Sequence, residues 1–143
     1  MIEQLSVFLE NKTGRLAEMT RILGDAGFNM RALVVADTAE FGVARVIVDR
    51  PQAAKRALEE AGFSASITGM LAVQVPDRPG GLADVLERLG EADVNVEYAY
   101  AVVPPGGDSA VGVFRVEDVD AAVMALQDTQ FGIVGPDALY EAG

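Results

Sequence analysis

The stretch Leu5–Asn29, LSVFLENKTGRLAEMTRILGDAGFN, returns 66 positions later as Leu71–Asn95, LAVQVPDRPGGLADVLERLGEADVN. Nine of the 25 aligned pairs are identical: Leu5/Leu71, Val7/Val73, Gly14/Gly80, Leu16/Leu82, Ala17/Ala83, Leu23/Leu89, Gly24/Gly90, Ala26/Ala92 and Asn29/Asn95. They fall on glycines and on apolar positions at helical spacing, where backbone geometry and core packing leave a sequence least freedom. The chain is a tandem repeat, so reading one unit reads both.

Further along, Gly42-Val43 meets Gly112-Val113 at an offset of 70, and then Ala53-Ala54 meets Ala121-Ala122 and Phe63 meets Phe131 at 68. This alignment puts four extra residues into Pro104-Pro105-Gly106-Gly107-Asp108, a turn by composition, where an insertion lengthens a hairpin loop and spares the fold.

Periodicity supplies the elements of the first unit. Leu5, Val7 and Leu9 alternate with Gln4 and Ser6, a strand with one buried face over residues 3–9, with Phe8 on the other side. Leu16, Met19, Ile22, Leu23 and Ala26 recur at helical spacing, started by Asn11 or Thr13 and stopped at Gly27. Residues 29–36 and 42–48 are β-branched and apolar around a short polar turn, a hairpin. A second helix starts near Pro51 with Ala54, Ala57, Leu58 and Ala61 on one face, and Ser64 to Thr68 closes the unit as a strand. The second copy repeats the order through Leu71–Val75, Leu82–Ala92, Asn95–Val103, Ala110–Val116, Val119–Gln127 and Phe131–Val134.

The predicted fold class is α+β: two ferredoxin-like βαββαβ units, residues 1–69 and 70–143, each an antiparallel sheet with helices on one face. Units of this size are marginal alone, and pairing the sheets side by side would hide exposed edges.

Composition narrows the function. Half the residues are hydrophobic and 23% are charged, a globular profile. Net charge is -11, from 22 acidic and 11 basic residues, which repels a phosphate backbone and argues against nucleic acid. With no Cys and no His, thiol chemistry, thiolate zinc sites and the commonest general base are excluded, and a metal site is not expected. A cytoplasmic location is expected from the absence of Cys and of a signal-like start, and no apolar run nears the roughly 20 residues of a membrane helix.

The loops after the first strand of each copy carry the chemistry: Asn11, Lys12, Thr13, Gly14, Arg15, Leu16 and Asp77, Arg78, Pro79, Gly80, Gly81, Leu82. A short polar side chain stands three residues before a glycine at a helix N-terminus, where free N–H groups attract a carboxylate. The alternative is that Asn11 and Asp77 cap the helices and the glycines turn the chain. The run [N/D]-[K/R]-[P/T]-G-x-L, between a strand and an amphipathic helix that leads to an Asn, resembles the signature of ACT domains in both copies. The resemblance implies side-by-side domains with an amino acid bound between this loop and the start of a neighbour's second strand, here Asn29-Met30 and Asn95-Val96. It departs at Thr13, where the family has proline, and at Leu9 and Val75, where serine-binding relatives carry His.

An α-amino acid presents an ammonium and a carboxylate, matching an Asn or Asp acceptor and clustered N–H donors. Arg31 and Glu97 hold equivalent positions, so the two loops would serve unlike sites. Tyr98 and Tyr100 share a strand face and read either as pocket lining or as sheet packing; Met19, Met30, Met70 and Met124 read as core. Glu117, Asp118 and Asp120 read as helix capping. The expected function is a non-catalytic amino-acid sensor without cofactor, a homodimer acting through its assembly or on a partner enzyme or regulator. The alternative is a ligand-free oligomerisation module.

Overall fold

The computed structural model describes residues 2–10, 12–37, 41–102 and 109–141. Asn11, Val103 and the Pro104–Asp108 turn lie outside the described residues. The chain divides into two compact units, Glu3–Thr68 and Gly69–Gly143, the second joined by Ile2.

The first unit contains β1 (Ile2–Glu10), α1 (Arg15–Asp25), β2 (Met30–Asp37), β3 (Phe41–Val48), α2 (Pro51–Glu60) and the start of β4 (Ser64–Pro76). Its strands run in the order β2-β3-β1-β4. The second unit takes the rest of β4, then α3 (Gly81–Glu91), β5 (Val96–Val102), β6 (Ser109–Val116), α4 (Val119–Leu126) and α5 (Pro136–Glu141). Its order is β4-β6-β5. The first follows the βαββαβ pattern of an α+β fold, and the second a like pattern whose closing strand is reduced to a single bridge.

Each unit has its own core. Leu5, Val7, Leu9, Met19, Leu23, Val46, Val48, Ala54, Leu58 and Phe63 close the first. Leu71, Val73, Val75, Val85, Leu89, Phe114, Val116, Ala122, Leu126 and Phe131 close the second, position for position. Burying each Leu contributes about 1.5–3 kcal/mol, so the repeated sequence positions are those that hold the units together.

The helix ends repeat too. The Phe28 N–H donates to the Leu23 carbonyl at 2.9 Å, Phe63 to Leu58 at 2.9 Å and Val94 to Leu89 at 2.9 Å. This is the six-to-one bond of a Schellman stop, which places the preceding residue in the left-handed region. Gly27 and Gly62 fill that position in the first unit, but Asp93 fills it in the second at φ 61.

Several sequence expectations need correction. Leu5 pairs Val46 and Leu71 pairs Phe114, so β3 maps onto β6 at the same offset of 68 that relates α2 to α4. The insertion is therefore two residues, and Gly112 corresponds to Ala44 rather than Gly42. A two-residue slip leaves every side chain on its own face, so alternation cannot detect it. The two strands expected on either side of Gly69 are one continuous strand, β4.

The expected strand Phe131–Val134 shrinks to one bridge, Val73 to Ile133, held by Gln74 N–H on the Gly132 carbonyl and Val134 N–H on the Ala72 carbonyl, each 2.8 Å. Gln4 and Ser6 are buried along with their apolar neighbours, the Gln4 amide donating to Ser6 Oγ at 3.4 Å. Met19 and Met70 are core as expected, whereas Met124 is 70% exposed. The terminal α5 had no periodic signal.

Candidate functional site

The two loops fold alike because three backbone bonds recur one for one. In the first, Lys12 N–H donates to Glu10 O at 2.8 Å, Arg15 N–H to Lys12 O at 3.3 Å and Glu18 N–H to Gly14 O at 2.9 Å. In the second, Arg78 N–H donates to Pro76 O at 2.9 Å, Gly81 N–H to Arg78 O at 3.0 Å and Asp84 N–H to Gly80 O at 3.0 Å. Gly14 and Gly80 sit at φ 92 and φ 84, a left-handed geometry glycine adopts without steric cost, which explains their identity in both copies.

These glycines, not Thr13 or Asp77, occupy the N-cap positions of α1 and α3. Among the described residues no helix N–H is bonded to the Asp77 carboxylate, which lies exposed on the loop. The capping alternative for Asp77 therefore falls away, and one charged acceptor stands open to solvent.

The charges around the loops differ. In the first, Lys12 pairs Glu10 at 2.7 Å and Arg15 pairs Glu18 at 2.9 Å. The hydrogen bond and charge of Lys12, helped by Arg15, hold the Glu10 carboxyl below its ordinary pKa. The Arg15 guanidinium also stacks on the Phe63 ring, 4.4 Å from its centroid. In the second, Arg78 pairs Asp84 at 2.8 Å. Position 81 admits a side chain only if the backbone shifts, because a Cβ there would stand 2.1 Å from the Pro76 carbonyl oxygen.

A cavity of about 280 Å³ opens beside this second loop, within the second unit. Asp77, Arg78 and Leu82 border it from the loop and α3; Val75 and Pro76 from β4; Ala99, Tyr100, Ala101, Ala110, Gly112 and Phe114 from β5 and β6. Its wall is apolar, with the two charged residues at the loop. That volume lies just under the range of about 300–1,000 Å³ for drug-sized ligands, so it suits a smaller molecule.

Of the expected contact residues, Asp77, Arg78 and Leu82 reach this cavity; Pro79, Gly80 and Gly81 shape the loop without lining it. Lys12, Thr13, Gly14 and Leu16 are exposed on the first loop. Met30 and Val96 pack against the two cores. Asn29 donates its N–H to Asp49 Oδ1 at 3.0 Å at the far end of the hairpin. Asn95 lies in a separate hollow with Asp93, Glu117 and Asp118. Within a unit, the loop and the Asn are at opposite ends of the sheet, since Val75 pairs Ala110 while Val96 pairs Val116.

Asp118 caps α4, its Oδ1 accepting the Ala121 N–H at 3.0 Å. Tyr98 reaches Met70 Sδ at 4.0 Å. Ala99, Ala101, Ala110 and Gly112 carried no site signal in the sequence, because they build the cavity by what their side chains lack. Among the described residues no cluster of three metal-ligating side chains occurs, and no helix is long and apolar enough to cross a membrane.

A protein family described as an ACT domain pair matches residues 1–141. Protein BT0572 from Bacteroides thetaiotaomicron is similar in structure, with 36% identity, a TM-score of 0.92, and coverage of 98% of this chain and 96% of that one. The regulatory subunits of aspartate kinase from Thermus thermophilus and Thermus flavus share the fold at 16% and 18% identity. Their TM-scores are 0.66 and 0.62, each over 87% of this chain and 89% of theirs. No curated protein matches.

Proposed function

The chain belongs to the ACT domain family, and from that premise we propose that it is a regulatory protein that binds a free amino acid and has no catalytic activity of its own. The observation that carries this reading is the cavity beside the Pro76–Leu82 loop, with an uncapped Asp77 carboxylate and the Arg78 guanidinium at its edge. A zwitterion offers an ammonium to the first and a carboxylate to the second and to the N–H groups that open α3. The residue at the start of a second strand, Asn29 or Asn95, completes the site from a neighbouring unit, because within its own unit it is a strand length away. The ligand acts by favouring one of two assembly states, or one state of a partner enzyme, in proportion to its differential affinity. The working assembly is a homodimer. Regulatory subunits of aspartate kinase share the fold, which is compatible with such a role.

The test is thermal unfolding of the full chain with each of the twenty amino acids at millimolar concentration. A ligand at a hundred times its Kd adds about 2.7 kcal/mol. A stabilising shift that Asp77→Ala removes supports the reading. No shift with any amino acid refutes it and favours a ligand-free oligomerisation module.

A further inference from the structure

Resting on that reading, we propose that the cavity of the second unit selects an amino acid with an apolar side chain, and that the described residues of the first unit leave no equivalent room, so each chain binds one ligand. The ladder pairs set the two units apart. Ala99 pairs Phe114 and Ala101 pairs Gly112 on the helix-covered face of the second unit. At the equivalent places of the first unit, Leu33 pairs Val46 and Val35 pairs Ala44. Leu33 and Val35, both exposed, stand on the same face, so the first unit carries two branched side chains where the second has Ala99 and Ala101.

Deeper in the cavity, Gly112 lets the Phe114 ring lie flat across the strand: a Cβ on Gly112 would stand 2.6 Å from that ring. The ring, Val75 and Leu82 then form an apolar wall with no charged group beyond the loop. A polar side chain entering there would exchange its water for a wall whose one neutral polar residue is Tyr100, whereas an apolar one gains by leaving water. Selectivity of about tenfold or more for apolar over polar side chains of similar size follows.

Isothermal titration calorimetry of the full chain decides this. The probes are L-leucine, L-isoleucine, L-methionine and L-phenylalanine against L-serine, L-threonine, L-aspartate and L-lysine. The expected result is binding of at least one apolar probe at one per chain, weaker or absent binding of the polar probes, and loss of binding in Ala99→Leu/Ala101→Val. Both positions are exposed in the second unit, and circular dichroism verifies the fold of the variant. Tight binding of a polar probe, two ligands per chain, or undiminished binding by the double variant overturns the proposal while leaving amino-acid sensing intact. Silence from all eight probes overturns the proposal, and silence from the other twelve amino acids as well overturns the sensing role itself.

Discussion

Gly81→Ala separates two physical effects that predict opposite signs. Position 81 is the first residue of α3, and helix propensity alone favours Ala over Gly by about 0.5–1 kcal/mol. The new Cβ, however, would lie 2.1 Å from the Pro76 oxygen and 3.1 Å from its carbonyl carbon, both backbone atoms, so no side chain can turn aside to admit it. Restoring ordinary contact moves the start of α3 away from β4 by about 1 Å, as overpacking does in general at a cost of about 1–3 kcal/mol. It also stretches the 3.0 Å bond from Gly81 N–H to Arg78 O that closes the Pro76–Leu82 loop. The net expectation is destabilisation by about 1–2 kcal/mol, a fall in Tm of about 3–6 °C for a chain of this size. The assay is thermal denaturation followed by circular dichroism, with Arg15→Ala as a control at the equivalent position of the first unit. The control loses only the stack on Phe63 and an exposed ion pair, about 1 kcal/mol together. A Gly81→Ala chain at least as stable as the wild type would refute the close approach.

Asp93→Gly is expected to raise stability by about 1 kcal/mol, since it relieves a left-handed aspartate at a Schellman stop that Gly27 fills in the other unit; urea denaturation measures it. Asp118→Ala removes the hydrogen bond to the Ala121 N–H and should lower stability by about 1 kcal/mol in the same assay. Lys12→Met should return the Glu10 carboxyl toward its ordinary pKa, read by carbon-detected NMR titration of the side chain. Because the folded pKa is depressed, the Glu10 contribution is present above the unfolded carboxylate pKa of about 4.3 and fades as pH falls through the folded value. In the Lys12→Met chain that fading disappears.

The repeat was legible because its identities sit where geometry is least forgiving. Gly14 and Gly80 need the same positive φ, and Leu5/Leu71, Val7/Val73 and Leu23/Leu89 fill the same places in two cores. Gly42 and Gly112 misled for the complementary reason: two glycines one strand pleat apart look equivalent in sequence, and only the ladder pairs show that Gly112 faces the place of Ala44. Continuity through Gly69 was hidden because glycine reads as a breaker, yet the backbone there stays extended. The capping role for Asp77 was plausible from spacing, but a glycine holding the cap position leaves the carboxylate outside the helix. The cavity left almost no trace, since small residues spaced along two strands read as ordinary sheet positions until strand pairing sets Ala99, Ala101, Ala110 and Gly112 side by side.

We propose that the Pro76–Leu82 loop and the adjoining strands hold a free amino acid. The most direct measurement is a titration of the nitrogen-15-labelled full chain with each of the twenty amino acids in turn, followed by amide correlation spectra. Saturable shifts are expected at Arg78, Gly80, Gly81 and Leu82, with Ala99, Ala101 and Gly112 moving in step at the same midpoint. Spectra unchanged at millimolar ligand, or shifts confined to residues away from that loop, would contradict it.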